Sequence, residues 1–183
     1  MSRETPSAQS RFFLLRPGVV LAEVAFVVLL FLGIVLSLRQ GVVTNEAEEA
    51  LLPNRIAGLA LVGYVQGDEA VAGMSQLHVN GITLADGYIG HYEGGATVWV
   101  GVATDEGRAR EMLRAMTDRI VEGGTPFSAP RALDMEGKTV YLVLDEARQP
   151  HFYYQAGRAV IWVQPPAANA DAFLREALRL LSG

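Results

Sequence analysis

The sequence predicts an α+β fold: an N-terminal transmembrane helix followed by a mostly antiparallel sheet with helices on one face, built around a duplicated ββα unit. Three observations predict it. A long apolar run lies near the N-terminus, alternating segments recur from Ile56 onward, and two of those segments are near copies that each precede a helical pattern. At 183 residues and 19.8 kDa the chain has room for one ordinary domain plus an anchor. The organisation read from it is a cytoplasmic segment over 1–18, a span over 19–38, a connector over 39–55 and an extracytoplasmic domain over 56–183.

The anchor is Val19 to Leu38, VVLAEVAFVVLLFLGIVLSL. At about 1.5 Å per residue it crosses the roughly 30 Å hydrocarbon core. Glu23 is its only charged residue, placed near the N-terminal end, where a carboxylate reaches the headgroups or pairs with Arg16. From Val24 on the run is apolar all round except for Ser37, so it lacks the polar stripe of a helix lying on the surface. Arg3, Arg11 and Arg16 precede the span and Arg39 alone follows it closely, which puts the N-terminus in the cytoplasm and the domain outside. A cleaved signal peptide is the rival reading. The run exceeds a usual signal-peptide core, and cleavage after Ala47 would place Asn45 where a small residue belongs, so a retained anchor is expected.

After the connector, Pro53 stops any continuation of the membrane helix. LALVGYV, Leu59 to Val65, alternates as a strand does. Asp68 is then placed to cap a short helix with Ala70, Val71, Met74 and Leu77 on one side. ITLADGYIGHYEGGATVWVGVA reads as two strands turned at Gly94-Gly95. The helix after it, Asp105 to Val121, has Ala109, Met112, Leu113, Met116 and Ile120 on one face, Thr104 as its cap and Gly123-Gly124 at its end. RALDMEGKTVYLVLD adds a hairpin at Glu136-Gly137, and HFYYQAGRAVIWVQ another near Ala156-Gly157. Asn169 is placed to cap the last helix, which buries Ala170, Phe173, Leu174, Ala177, Leu178 and Leu181. Six or seven strands and three helices are expected.

The duplication rests on a few residues. ATVWV (Ala96 to Val100) matches AVIWV (Ala159 to Val163), aligning Trp99 with Trp162, and AREML (Ala109 to Leu113) matches ADAFL (Ala170 to Leu174) after a two-residue gap. Neither copy alone covers both its sheet and its helix, so the two are expected to share one sheet. A common ββα arrangement whose cores need similar residues reads the same way. Alternation sets Val98 and Val100 against Trp99, and Ile161 and Val163 against Trp162. The tryptophans are therefore either core or an exposed patch on an uncovered face.

Chemistry is read by elimination. The chain has no cysteine, so disulfides, thiolate metal sites and Cys nucleophiles are excluded. Ser75 in MSQL and Ser128 in PFSAP do not resemble a nucleophile elbow. No GxGxxG or GxxxxGK[ST] occurs, which argues against a nucleotide, and no cofactor is expected. Lys138 is the only lysine, and the arginines are spread along a chain of net charge −5, which argues against nucleic acid. Glu106 with Arg110, Arg114 with Asp118, and Asp171 with Arg175 read as solvated helix surfaces.

His78 is expected to close the first helix. His91 and His151 lie in the opening strands of the two copies, beside Tyr88, Tyr92, Tyr153 and Tyr154, where a pseudo-twofold packing could bring them together, although they are not equivalent when the tryptophans are aligned, His91 falling opposite Tyr154. No HxH or HExxH spacing supports a metal site. Phe127, between two prolines in GGTPFSAP (Gly123 to Pro130), either contacts a partner or folds back onto the core. The candidate binding residues are thus His91, Tyr92, Trp99, Phe127, His151, Tyr153 and Trp162. Two functional classes follow. One is a membrane-anchored interaction or ligand-binding domain, such as an accessory subunit of an envelope complex, with the bilayer and a membrane protein as partners. The other is an unconventional or metal-dependent envelope enzyme using His91 and His151.

Overall fold

The computed structural model describes residues 52–77 and 84–181. The predicted span Val19–Leu38, its flanks up to residue 51 and His78 lie outside the described residues. Among the described residues no helix is long and apolar enough to cross a membrane.

Eight strands form one sheet: β1 (Arg55–Ile56), β2 (Leu59–Gln66), β3 (Asp86–Tyr92), β4 (Ala96–Val102), β5 (Arg131–Met135), β6 (Lys138–Leu144), β7 (Pro150–Ala156) and β8 (Ala159–Gln164). Three α-helices accompany them: α1 (Asp68–Leu77), α2 (Glu106–Glu122) and α3 (Ala170–Leu180). The spatial order is β1-β2-β3-β4-β8-β7-β6-β5, and every neighbouring pair is antiparallel. The hairpins β3–β4 and β7–β8 therefore meet in the middle of the sheet, where Trp99 on β4 lies directly opposite Trp162 on β8.

Turn chemistry sets these registers. Glu136 and Gly137 both have positive φ, 53° and 70°, as a two-residue hairpin turn requires, and Met135 pairs with Lys138 around them. The β7–β8 turn consists of Gly157 and Arg158, one residue beyond the expected position, because Ala156 pairs with Ala159. A single 3₁₀ turn, Glu93–Gly95, joins β3 to β4.

Two of the three helix starts differ from expectation by one residue. The cap of α2 is Asp105, whose carboxylate accepts from the Arg108 N–H at 2.9 Å, while Thr104 donates to Asp105 at 3.2 Å. That backbone hydrogen bond is the main reason the Asp105 carboxyl titrates below its ordinary value. Asp68 is the first residue of α1, and Gly67 takes the preceding position with its carbonyl accepting from Val71 at 2.9 Å. Asn169 does precede α3, but its side chain makes no capping bond. Of the three expected helix-surface ion pairs, Asp171–Arg175 forms at 2.9 Å.

The expectation that all helices lie on one face is wrong. Tyr92, Val98, Val100, Tyr154, Ile161 and Val163 pack with Phe173, Leu174, Ala177 and Leu178 of α3 and with Leu52 and Ile56. Tyr153, Val143 and Val160 instead pack with Ala109, Met116 and Ile120 of α2. Because successive strand residues face opposite ways, α2 and α3 lie on opposite faces. Helix α1 shares the α2 face. A Cβ on Gly87 would strike Met74 and Val71 of α1, and one on Gly101, directly opposite, would meet Met112 of α2 at 3.7 Å. After β8, which ends at Gln164, the chain leaves through the buried Pro165-Pro166, which has no counterpart after β4.

Candidate functional site

On the face carrying α1 and α2, the register lines up one residue from each inner strand. Tyr141, Tyr153, Trp162, Trp99 and Ile89 stand opposite one another across β6, β7, β8, β4 and β3. Tyr153 stacks on Trp162 (centroids 5.0 Å apart, planes 5° apart) and on Tyr141 (5.1 Å, 14°), so three rings form one pile along the row. The Tyr153 hydroxyl donates to Thr117 of α2 at 3.3 Å, which leaves Tyr153 fully enclosed. Trp99 and Trp162 are half-buried, between the two alternatives read from the sequence.

His151 anchors the end of the pile. The Trp162 indole N–H donates to His151 Nδ1 at 3.0 Å, and an indole nitrogen can only donate. His151 is therefore neutral, with its proton on Nε2, where it faces Asp145 Oδ2 at 3.4 Å. Asp145 is fixed by the β6–β7 turn, its other oxygen accepting from the Gln149 N–H at 2.8 Å. Burial is the leading cause of a lowered His151 pKa, with Asp145 opposing it.

The Gly123–Pro130 loop closes over this pair. Ser128 N–H donates to the Leu144 carbonyl at 2.8 Å and its hydroxyl accepts from the Leu144 N–H at 2.9 Å. Held there, Phe127 places its ring 5.2 Å from His151 and 5.0 Å from Trp162. Phe127 thus folds back onto the sheet and remains half-buried.

The remaining candidates separate. His91 is half-buried on the same face and its Nδ1 lies 3.2 Å from Thr97 Oγ1; burial again lowers its pKa. The full width of β4 and β8 stands between His91 and His151, three strand spacings or about 14 Å. They do not come together, and no ion or reacting atom can be shared between them. Their separation follows from the sheet order: β4 pairs with β8, Trp99 opposite Trp162, and the histidine-bearing strands β3 and β7 lie on the outer sides of that pair. Tyr92 points to the opposite face, where its hydroxyl donates to the Pro53 carbonyl at 2.9 Å and its ring meets Phe173 edge-on at 5.5 Å.

Sequence reasoning missed Asp145. It read as an ordinary turn acid, and nothing in LDEARQPH marks it as a histidine partner. It also missed a polar and aromatic group on the α3 face, where Tyr88 O–H donates to Asp86 and Tyr64 stacks on Tyr88 at 6.3 Å. Burial, then the Asp86 charge, raises the Tyr64 pKa.

Chemically the aromatic site is quiet. The lone pair on His151 Nδ1 is occupied by a donor that cannot act as a nucleophile, so the Asp145–His151–Trp162 chain carries no general base while that bond stands. Among the described residues no three His, Asp or Glu side chains are grouped to hold a metal ion. A shallow hollow of about 340 Å³ between the Glu136 turn and α3 is lined by Glu136, Ala172, Arg175, Glu176 and Arg179. Its Arg175 is already held by Asp171 and Glu136. No protein family, curated protein or solved structure matches the chain.

The two histidines make stability pH-dependent. Each has a folded pKa below its unfolded value of about 6.5, so in the window between the two values the unfolded chain binds more protons. Their contribution is whole above about pH 6.5 and declines as pH falls toward the folded pKa values. Thermal melts should therefore give a lower Tm at about pH 5.5 than at about pH 7.5. The double variant His91→Gln, His151→Asn should flatten that difference, and an unchanged slope would assign it to other groups.

Proposed function

We propose that this chain is a membrane-tethered binding domain, held outside by the Val19–Leu38 anchor, that engages a membrane protein through the face bearing Trp99, Trp162, Phe127 and His91. The observation carrying this reading is the unequal closure of the sheet's two faces. At the centre of the sheet Val98, Val100 and Val163 are 0% exposed and Ile161 is 1% exposed beneath α3. On the other face Ile89, His91, Trp99 and Trp162 stay half-buried. Large aromatics part-covered by their own chain are the residue type that dominates protein interfaces.

A photo-reactive amino acid at position 99 should cross-link a membrane protein in native membranes, whereas the same group at exposed Arg179 of α3 should not. Trp99→Ala should lower recovery of that partner on purification by about tenfold or more, with little change in Tm, as expected for an interface aromatic. Equal recovery with Trp99→Ala, or equal cross-linking from both positions, would refute the assignment of this face.

A further inference from the structure

We infer that the His151–Trp162 hydrogen bond is an acid-operated latch: adding a proton to His151 breaks its bond to the indole and gives the aromatic face a second arrangement of Trp162 and Phe127. This concerns the chain's own conformation and holds whether or not the face binds a partner.

In the structure Nδ1 is an acceptor because the indole N–H points at it from 3.0 Å. An imidazolium has N–H on both nitrogens. Protonation therefore sets two donors against each other with no acceptor between them, and the bond becomes a repulsive contact. Water cannot easily restore it, because His151 is 7% exposed and Phe127 lies edge-on against the ring.

The charged ring also has somewhere to go. Asp145 Oδ2 faces Nε2 at 3.4 Å, beyond a good hydrogen bond, so a cationic ring gains by closing that gap. That motion carries it away from Trp162. Other charges on the surrounding elements do not compete. Glu146 and Arg148 of the same turn are exposed, and on α2 Arg119 is exposed and lies 4.0 Å from Glu122. β8 offers Trp162, β6 offers Val143, and the loop offers Phe127 and Ser128, none of them ionisable in this range. Burial favours the neutral ring, so the latch is shut at neutral pH and opens below the ordinary histidine value of about 6.5.

The full-length chain, uniformly ¹⁵N-labelled in detergent micelles, provides the test. From about pH 8 to about pH 4.5 the Trp162 indole N–H signal, identified by its loss in Trp162→Phe, should shift in one step. Its midpoint should coincide with the titration of the His151 ring, and the Trp99 indole should not follow it. His151→Asn sets an amide oxygen near the place of Nδ1, keeps an acceptor for the indole and should abolish the step. Trp162→Phe removes the opposing donor and should raise the His151 midpoint. A Trp162 signal that stays flat while His151 titrates overturns the latch, as does a step that persists in His151→Asn. Should His151→Asn not fold, the Trp162→Phe result decides alone: an unmoved His151 midpoint is then the contrary outcome.

Discussion

Phe173→Ala should cost about 3–5 kcal/mol, the range for deleting a fully buried aromatic ring. Phe173 is 0% exposed and is the largest side chain that α3 sets into the sheet. Its ring meets Tyr92 edge-on, so removal also takes away the aromatic partner of Tyr92 beside the bond that holds Pro53. Domains are stable by only about 5–15 kcal/mol, so the variant should be largely unfolded at moderate urea where the parent is folded. Urea titration followed by near-UV circular dichroism measures it. Arg179→Ala, on the exposed side of the same helix, should change stability by about 0.5 kcal/mol or less. Similar midpoints for parent and Phe173→Ala would mean that α3 is not a principal support of the sheet.

Gly87→Val should detach α1. Gly87 on β3 stands opposite Gly101 on β4, and this pair of side-chain-free positions forms a trough in the sheet. Met74 and Val71 fill it above Gly87, and the Val71 backbone nitrogen would lie 3.2 Å from an added Cβ. The Met74 methyl can swing away, but the helix backbone cannot. Branched carbons there force the helix outward, an overpacking cost of about 1–3 kcal/mol. Hydrogen exchange should show Val71 to Leu77 losing protection while β4 and β8 keep theirs. Gly87→Ala should fall between, and retained protection in Gly87→Val would show that the trough is wider than it looks.

Apart from the two-residue β1, which was not read, the strands, hairpins and helices were legible because each rests on local chemistry. Glu136-Gly137 needs only its own backbone to turn, and the apolar side of α2 is written in Ala109, Met116 and Ile120. The placement of α3 was less accessible, since a helix's apolar stripe does not say which side of a sheet it covers. A signal was nevertheless present. ATVWVGV and AVIWVQ are apolar at nearly every position rather than at alternate ones, the pattern of strands covered on both faces.

The site was legible as residue types and not as geometry. His91 and His151 were correctly placed on strands, yet their separation depends on the sheet order, which brings β4 against β8 and puts β3 and β7 outside them. The true neighbours of His151 reach it through a turn, Asp145, and through a register, Trp162. Phe127 depended on Ser128 finding Leu144, a contact sixteen positions along the chain that no short motif announces.

The beginning of the domain also has a mechanical meaning. Leu52 is 1% exposed in the core, the Pro53 carbonyl takes the Tyr92 hydroxyl, the Asn54 carbonyl takes the Leu61 N–H, and the Ala57 N–H reaches Glu176 of α3. Tension reaching Leu52 is therefore met by bonds made within the next five residues. It passes to β2, to β3 and to the covering helix α3, so a load on the N-terminal side would be resisted by several bonds at once.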